Sequence, residues 1–135
     1  MTFTTHLRQR FFDEWTLGAA ASRALCSAGA WADSRLLCWI LMPDHFHGLV
    51  ELGSTDTLSR NVGRAKHHAT RALRDCGLAG AVWARGFHER AMRREDNIVA
   101  AARYTIANPL RAGLVTDVGA YPYWNAAWLA DATPI

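Results

Sequence analysis

The feature that most constrains the fold is a strand–turn–strand unit in the first half of the chain. Residues 36–42 (LLCWILM) form an unbroken apolar run, which is typical of a buried strand. Pro43 and Asp44 then favour a turn, and residues 45–52 predict a second strand. Two strands joined by so short a turn predict an antiparallel hairpin. The rest of the chain must therefore build on a sheet.

The remaining elements alternate between strands and helices. We expect short strands at 1–5 and 82–90. We expect a helix at 14–28 with Asp13 as its N-cap, a basic helix at 57–76, and a helix that runs from a Glu95 or Asp96 cap to Asn108. A helical turn at 110–115 and an aromatic tail at 121–128, which packs on the body, complete the chain. This βαββαβα order predicts an α+β fold. At 135 residues, the chain has the length of one domain, spanning 1–135.

Composition narrows the class and the compartment. Half of the residues are hydrophobic and a fifth are charged, which excludes a disordered chain or a disulfide-stapled miniprotein. Cys26, Cys38 and Cys76 have no zinc-like spacing, so we expect reduced and mostly buried thiols. Neither a secretion signal nor a membrane-spanning run is present in the sequence. We therefore expect a cytoplasmic protein with no membrane partner.

The charge is concentrated in the middle of the chain. Residues 57–94 carry nine bases and two acids, a net charge of +7, whereas the segments before and after each carry −2. Fourteen of the fifteen bases are arginine, which forms bidentate contacts with phosphate. In the basic helix, one side carries a stripe formed by Arg60, Arg64, His67, Arg71 and Arg74. This basic stripe favours a phosphate-binding face, although a solvated helix surface explains it equally well.

A histidine pair in the second strand of the hairpin is a candidate metal site. His45 and His47 stand two residues apart, so both side chains leave the same face, while Phe46 points into the core. Two imidazoles at this spacing can hold one divalent metal. The motif is short, and a structural or chance occurrence is the alternative interpretation.

Tyr104 and Asn108 lie one helical turn apart and share a helix face. Tyr104 lies off the apolar stripe of its helix, which consists of Ile98, Ala102 and Ile106. A phenol and an amide oxygen close to a histidine-bound metal would form a nucleophile-and-metal site. The alternative interpretation of Tyr104 is a tyrosine that lies on the surface. The alternative for Asn108 is an ordinary helix C-terminal residue before Pro109.

Three blocks of the sequence resemble a known family. They are residues 39–50 (WILMPDHFHGLV), residues 83–90 (WARGFHER) with 93–96 (RRED), and residues 104–115 (YTIANPLRAGLV) followed by a Tyr-Pro pair at 121–122. Together they resemble the single-tyrosine HUH transposases, most closely the REP-associated tyrosine transposases of bacteria. The blocks span well over half of the chain.

This resemblance implies a ferredoxin-like antiparallel sheet with helices packed on it. It implies that His45 and His47 hold Mg²⁺ or Mn²⁺, with Asn108 as the candidate third ligand. Tyr104 would attack a DNA phosphodiester and take the 5′-phosphate, leaving a free 3′-OH. The implied substrates are single-stranded DNA and DNA hairpins derived from palindromic repeats, and the implied assembly is a monomer or a homodimer.

The resemblance also gives the basic residues a role along the DNA backbone. Those expected to contact DNA are Arg60, Arg64, Lys66, Arg71, Arg74, Arg85, Arg90, Arg93 and Arg94. Two alternatives remain open at this point. One is a domesticated repeat-DNA-binding protein with little catalytic role. The other is an unrelated metal-dependent phosphoesterase that uses His45 and His47 but does not need Tyr104.

Overall fold

The computed structural model describes residues 1–93 and 97–127. Within these ranges the strands are β1 (Thr2–Thr4), β2 (Arg35–Met42), β3 (His45–Glu51) and β4 (Trp124–Ala126). The α-helices are α1 (Trp15–Leu25), α2 (Ala28–Trp31), α3 (Leu58–Asp75), α4 (Ile98–Ile106) and α5 (Asn108–Arg111). Single 3₁₀ turns occur at His6–Arg8, Phe11–Asp13 and Val118–Ala120.

The strands form one antiparallel sheet in the order β1-β3-β2-β4. The predicted hairpin is confirmed as β2 and β3, whose ends lie within one residue of the expected positions. Trp39 pairs with Gly48, and Leu41 pairs with Phe46. A four-stranded antiparallel sheet with helices packed against it confirms the predicted α+β class.

The strand predicted at 82–90 is wrong as a continuous strand. Thr2 bridges His88 and Thr5 bridges Trp83, so this segment runs antiparallel beside β1. Four residues (84–87) lie between the two bridges in this segment, whereas two residues (3–4) lie between them in the N-terminal segment. The excess forms a bulge around Gly86, which has a φ of +76° and so occupies a conformation that favours glycine. The bulge interrupts the ladder of hydrogen bonds.

The order of strands matches the predicted ferredoxin-like arrangement. If the bulged segment is included, the sheet contains residues 82–88, then β1, β3, β2 and β4 in that order. The chain order β1-α1-β2-β3-α3 followed by this segment is the βαββαβ pattern of ferredoxin-like folds. The strand β4 is an addition at the far edge, beside β2.

The two faces of the sheet are covered by different helices. Phe46 is fully buried, stacks on Phe3 and Trp31, and belongs to a core that includes residues of α1, α2 and α3. We call this the core face. The helices α4 and α5 contact the other face, which carries His45 and His47 and which we call the histidine face. A one-residue slip of β3 would exchange the two faces, so burial of Phe46 fixes where the histidines point.

Several helix ends differ from the sequence prediction. Glu14, not Asp13, caps α1, because its carboxylate accepts hydrogen bonds from the first free amides of the helix. The first helix ends at Leu25, and α2 follows as a separate short helix. Asn97 caps α4, and the alternative caps Glu95 and Asp96 lie outside the described residues. The turn expected at 110–115 begins earlier, as α5.

The aromatic tail packs back on the body, as expected. Tyr121 and Tyr123 are buried, and Trp124 begins β4, a strand that the sequence did not predict. The Trp128 part of this expectation lies outside the described residues. The prediction of mostly buried thiols is wrong, since Cys38 is buried but the other two free cysteines are exposed.

A search of the helices in residues 1–93 and 97–127 finds none with both the length and the apolar character needed to span a membrane.

Candidate active site

The histidine pair lies at the start of β3, directly after the β2–β3 turn. His45 and His47 pair across the ladder with Met42 and Ile40 of β2, and with Thr4 and Thr2 of β1. Neither histidine side chain is fully exposed, and both lie on the histidine face. The alternation that buries Phe46 therefore places two imidazoles side by side on a partly covered surface.

His45 is oriented by its neighbour Asp44. The His45 Nδ1 atom lies 2.9 Å from Asp44 Oδ1, and Asp44 Oδ2 accepts a hydrogen bond of 3.0 Å from Arg8 Nε. Because a carboxylate can only accept, this contact places the proton of the neutral ring on Nδ1 and leaves the Nε2 lone pair available. Ligating histidines in metal sites are commonly held in this way.

His47 is held in its neutral form. Burial is the main cause that lowers the pKa of His47 to about 4, and the nearby Met1 amino group, His45 and Arg111 lower it further. At neutral pH the ring is therefore uncharged. An uncharged imidazole is the form that can ligate a metal.

Tyr104 projects from α4 on the same face of the sheet. Its side chain is 64% exposed, as its position off the apolar stripe predicted. The predicted apolar stripe of α4 is only partly confirmed. Ala102 is buried, but Ile98 is exposed, and Thr105 is buried in its place. Tyr104 and His47 both line one cavity of about 510 Å³, which also includes Arg90 and Met92. The candidate nucleophile and a candidate metal ligand thus face a common space.

Asn108 links α5 to the histidine pair. Its Nδ2 atom lies 3.5 Å from His47 Nδ1 and donates a hydrogen bond of 2.8 Å to the Thr105 carbonyl. The predicted proximity of the amide to the histidines is therefore present. A metal would need the amide oxygen at this place, and a 180° rotation of the amide supplies it at the cost of the Thr105 bond.

These side chains form a partial ligand set for a divalent cation. Within the described residues, no group of three or more His, Cys, Asp or Glu side chains could hold a metal. His45 and His47 offer two nitrogens, and Asn108 can add an oxygen. This set fits a cation that takes its other ligands from water and phosphate oxygens, as Mg²⁺ commonly does.

The basic stripe of α3 is not part of this site. Its residues lie on the side of α3 opposite Val62, Ala65 and Ala69, which are buried in the core face. The stripe therefore faces away from the sheet, with α3 and the sheet between it and the histidine face. Arg60, Arg71 and the partly bonded Arg74 are exposed there.

Arg64 and Lys66, both predicted to bind DNA, are partly buried and form several hydrogen bonds within the protein. Arg64 donates hydrogen bonds to Asp56, to the Asn61 amide oxygen and to the Ala30 carbonyl. Lys66 Nζ donates to the Ala84 and Gly86 carbonyls at 3.0 and 2.7 Å, and so holds the bulge beside β1.

The other predicted DNA-binding residues are spread along the segment after α3. Arg85 is exposed on the bulge, Arg90 lines the cavity with Tyr104, and Arg93 is exposed further along. Arg94 lies outside the described residues. Of the predicted arginines that the structure describes, Arg90 is the one that lines the Tyr104 cavity.

Sequence reasoning missed three residues of this site. Arg8 and Asp44 form the chain of contacts to His45, and the guanidinium carbon of Arg111 lies 3.7 Å from the centre of the Tyr104 ring. A signal for Arg111 was present, since it follows Tyr104 by seven residues, or two helical turns. A signal for Asp44 was its place beside the first histidine.

The fold and the site together define an α+β protein with a histidine pair and a tyrosine on one face of its sheet. Among solved structures, it is similar to a REP-associated tyrosine transposase bound to a REP hairpin, with a TM-score of 0.72 and 22% sequence identity over 98% of this chain and 79% of that chain. This match shows a shared fold, and it agrees with the resemblance seen in the sequence blocks. No protein-family model matches the chain, and no curated protein matches it either.

Proposed function

We propose that this chain nicks single-stranded DNA and transfers the strand through a 5′-phosphotyrosine at Tyr104. The proposed substrate is hairpin DNA from palindromic repeats. The observation that carries the proposal is that Tyr104 and His47 line one cavity. The fold shared with a transposase solved on a REP hairpin supports the choice of substrate.

The reaction exchanges one phosphate ester for another. The Tyr104 oxygen attacks phosphorus, the bond between phosphorus and the 3′ oxygen breaks, and the phenolic proton ends on the released 3′-OH. Because an ester bond is conserved, the free 3′-OH can later reverse the step and rejoin DNA without a nucleotide triphosphate.

His45, His47 and Asn108 would hold Mg²⁺ or Mn²⁺ beside the scissile phosphate. When bound, such an ion neutralises phosphate charge and orients the ester for in-line attack. The residues themselves prepare this site, because Asp44 fixes the His45 ring and burial keeps His47 uncharged. Arg90, in the same cavity, adds a positive charge close to the strand.

We further propose that two groups of basic residues contact DNA. Arg90 contacts the DNA strand at the Tyr104 cavity, and Arg93 and Arg94, which follow Arg90 in the sequence, belong to the same group. Arg60, Arg71, Arg74 and Arg85 contact backbone phosphates elsewhere on the hairpin. Arg64 and Lys66 act through the fold instead, because each already donates two or more hydrogen bonds within the protein.

A covalent-trapping experiment tests this proposal. The protein is mixed with Mn²⁺ and a pool of hairpin DNA labelled at the 3′ end, and the products are separated on a denaturing protein gel. We expect a labelled protein band that is absent in Tyr104→Phe. Tyr123→Phe is the matched control, because that buried tyrosine packs against α1, outside the Tyr104 cavity.

The alternatives give different results in the same experiment. Strand cleavage that persists in Tyr104→Phe would support a metal-dependent phosphoesterase and contradict the tyrosine mechanism. Hairpin binding in a native gel without any cleavage would support a DNA-binding protein with little catalytic role.

A further inference from the structure

Arg111 covers the face of the Tyr104 ring. Its guanidinium carbon lies 3.7 Å from the ring centre, well within the distance at which cation–π attraction acts. Both side chains are exposed. Among the described residues, no carboxylate forms an ion pair with Arg111, so its positive charge is not neutralised within this part of the protein.

The short helix α5 joins this contact to the histidine pair. Asn108 and Arg111 are three residues apart and therefore on one side of the turn. Asn108 reaches His47, and Arg111 reaches Tyr104. The turn is well defined, because Pro109 is buried and Gly113, with a φ of +74°, ends it. One turn of helix thus contacts both Tyr104, the proposed nucleophile, and His47, a candidate metal ligand.

A phosphate that reacts with Tyr104 must come close to Arg111. The phenolic oxygen belongs to the ring that the guanidinium covers, so a phosphorus in contact with this oxygen lies within reach of the guanidinium N–H groups. The phosphate gains negative charge as the new bond forms. A guanidinium can donate two parallel hydrogen bonds to such a group.

We propose that Arg111 is a catalytic residue of the nicking reaction, which holds the Tyr104 ring and donates hydrogen bonds to the scissile phosphate. This inference rests on the proposed function. Arg111 forms no covalent bond and loses no proton. The bond changes stay those of the ester exchange, with the Tyr104 oxygen joining phosphorus and the 3′-OH leaving with the phenolic proton.

Single-turnover rates of covalent adduct formation at saturating hairpin DNA test this role. We expect Arg111→Met to lower the rate by roughly 100–1,000-fold, the range found when one donor to a developing oxyanion is lost. Arg111→Lys should recover part of the rate, because it restores charge without the planar fork. Added methylguanidinium should partly rescue Arg111→Ala. Arg103→Met is the matched control, since this exposed arginine precedes Tyr104 and points elsewhere.

Two outcomes would overturn the inference. If wild-type protein forms the adduct and Arg111→Met forms it at the same rate, Arg111 has no catalytic role while the proposed function stands. If wild-type protein forms no adduct, the proposed function fails and the catalytic role fails with it.

A second measurement tests the contact without DNA. The protein has three tyrosines, so ¹³C-tyrosine spectra resolve Tyr104 readily. We expect Arg111→Met to shift the Tyr104 ring signals and to leave those of buried Tyr121 in place. Unchanged Tyr104 signals would overturn the stacking that the inference requires.

Discussion

At the scale of single residues, the geometry of His45 depends on a side chain that does not face the cavity. Asp44 uses one carboxylate oxygen for His45 and the other for Arg8. The turn residue therefore connects a strand-end histidine to the segment after β1. Removing the carboxylate would leave the histidine in place but free to rotate and to change tautomer.

We expect Asp44→Asn to weaken Mn²⁺ binding by about 10–100-fold, because an amide orients a ligating histidine less strongly than a carboxylate. Isothermal titration calorimetry with Mn²⁺ alone measures this. Asp75→Asn is the control for loss of one negative charge, since Asp75 is exposed on α3, away from the histidine face. Equal affinity of Asp44→Asn and wild type would show that Asp44 does not position His45.

Arg64 is predicted to matter for stability. Arg64→Met removes bonds to Asp56, Asn61 and the Ala30 carbonyl, so we expect a clearly lower urea midpoint than for wild type. Arg60→Met, on the exposed stripe, should change the free energy of unfolding by no more than about 0.5 kcal/mol. Similar midpoints for both variants would contradict a structural role for Arg64.

The same contact predicts a pH dependence. The hydrogen bond from Arg64 lowers the pKa of Asp56 below its usual value of about 3.9. A carboxyl with a lowered folded-state pKa contributes stability above its unfolded pKa and loses it as the pH falls through the folded value. Wild type should therefore lose more stability than Asp56→Asn on acidification below about pH 4. Parallel acid unfolding curves for the two proteins would rule this contribution out.

At the scale of elements, local patterns were sufficient for the hairpin and for α3. The two-residue alternation at Phe46 fixed the face of the histidines, and Thr57, as predicted at the helix start, accepts a hydrogen bond from the Arg60 amide. Local patterns could not give the face of the sheet that each helix covers. The sequence alone therefore could not predict that the basic stripe and the histidine pair lie on opposite sides of the sheet.

The elements that were mispredicted depend on contacts distant in sequence. The segment 82–90 has the composition of a strand, but the Gly86 bulge and its Lys66 hydrogen bonds decide its shape. Likewise, β4 forms because Trp124 and Asn125 pair with the edge of β2. Neither partner can be identified from the local sequence.

The position of α3 predicts that its basic stripe contributes to affinity and not to chemistry. In the double variant Arg60→Gln with Arg71→Gln, the slope of log affinity against log salt should fall by about 1.4–1.8, the value for two phosphate contacts. The adduct rate at saturating DNA should be unchanged. Replacing Arg23 and Arg35 by Gln is the control, since both are exposed outside the stripe. An unaltered slope would exclude the stripe from the DNA interface.

At the scale of the whole molecule, the sheet has the main hydrophobic core on one face and the candidate active site on the other. The core face holds the buried cluster around Phe46, whereas the histidine face remains partly open under α4 and α5. The aromatic tail packs on the first helix, where the Tyr123 ring stacks on the Trp15 ring of α1. Packing of the tail on α1 is therefore a test of the global fold.

Gly18 makes that packing possible. A Cβ at Gly18 would lie 2.5 Å from Cζ of the Tyr123 ring. Overpacking of this kind costs about 1–3 kcal/mol, and three Tyr123 ring atoms within 2.7 Å of the added Cβ place Gly18→Ala in the upper part of that range, above the gain of about 1 kcal/mol in helix propensity. We expect Gly18→Ala to lower the free energy of unfolding by up to about 2 kcal/mol in urea titrations. Gly63→Ala, in α3 with open space around it, should raise it instead. A stabilised Gly18→Ala variant would show that the tail does not pack as described.

The central claim is that Tyr104 joins the 5′ side of a DNA break, and strand polarity tests it most directly. One hairpin DNA is labelled at either the 3′ or the 5′ end, incubated with the protein and Mn²⁺, and recovered under denaturing conditions. We predict that only the 3′ label stays with the protein, that the released fragment carries an extendable 3′-OH, and that the modified peptide contains Tyr104. A protein-bound 5′ label, or a nucleotide on any other residue, would contradict the mechanism.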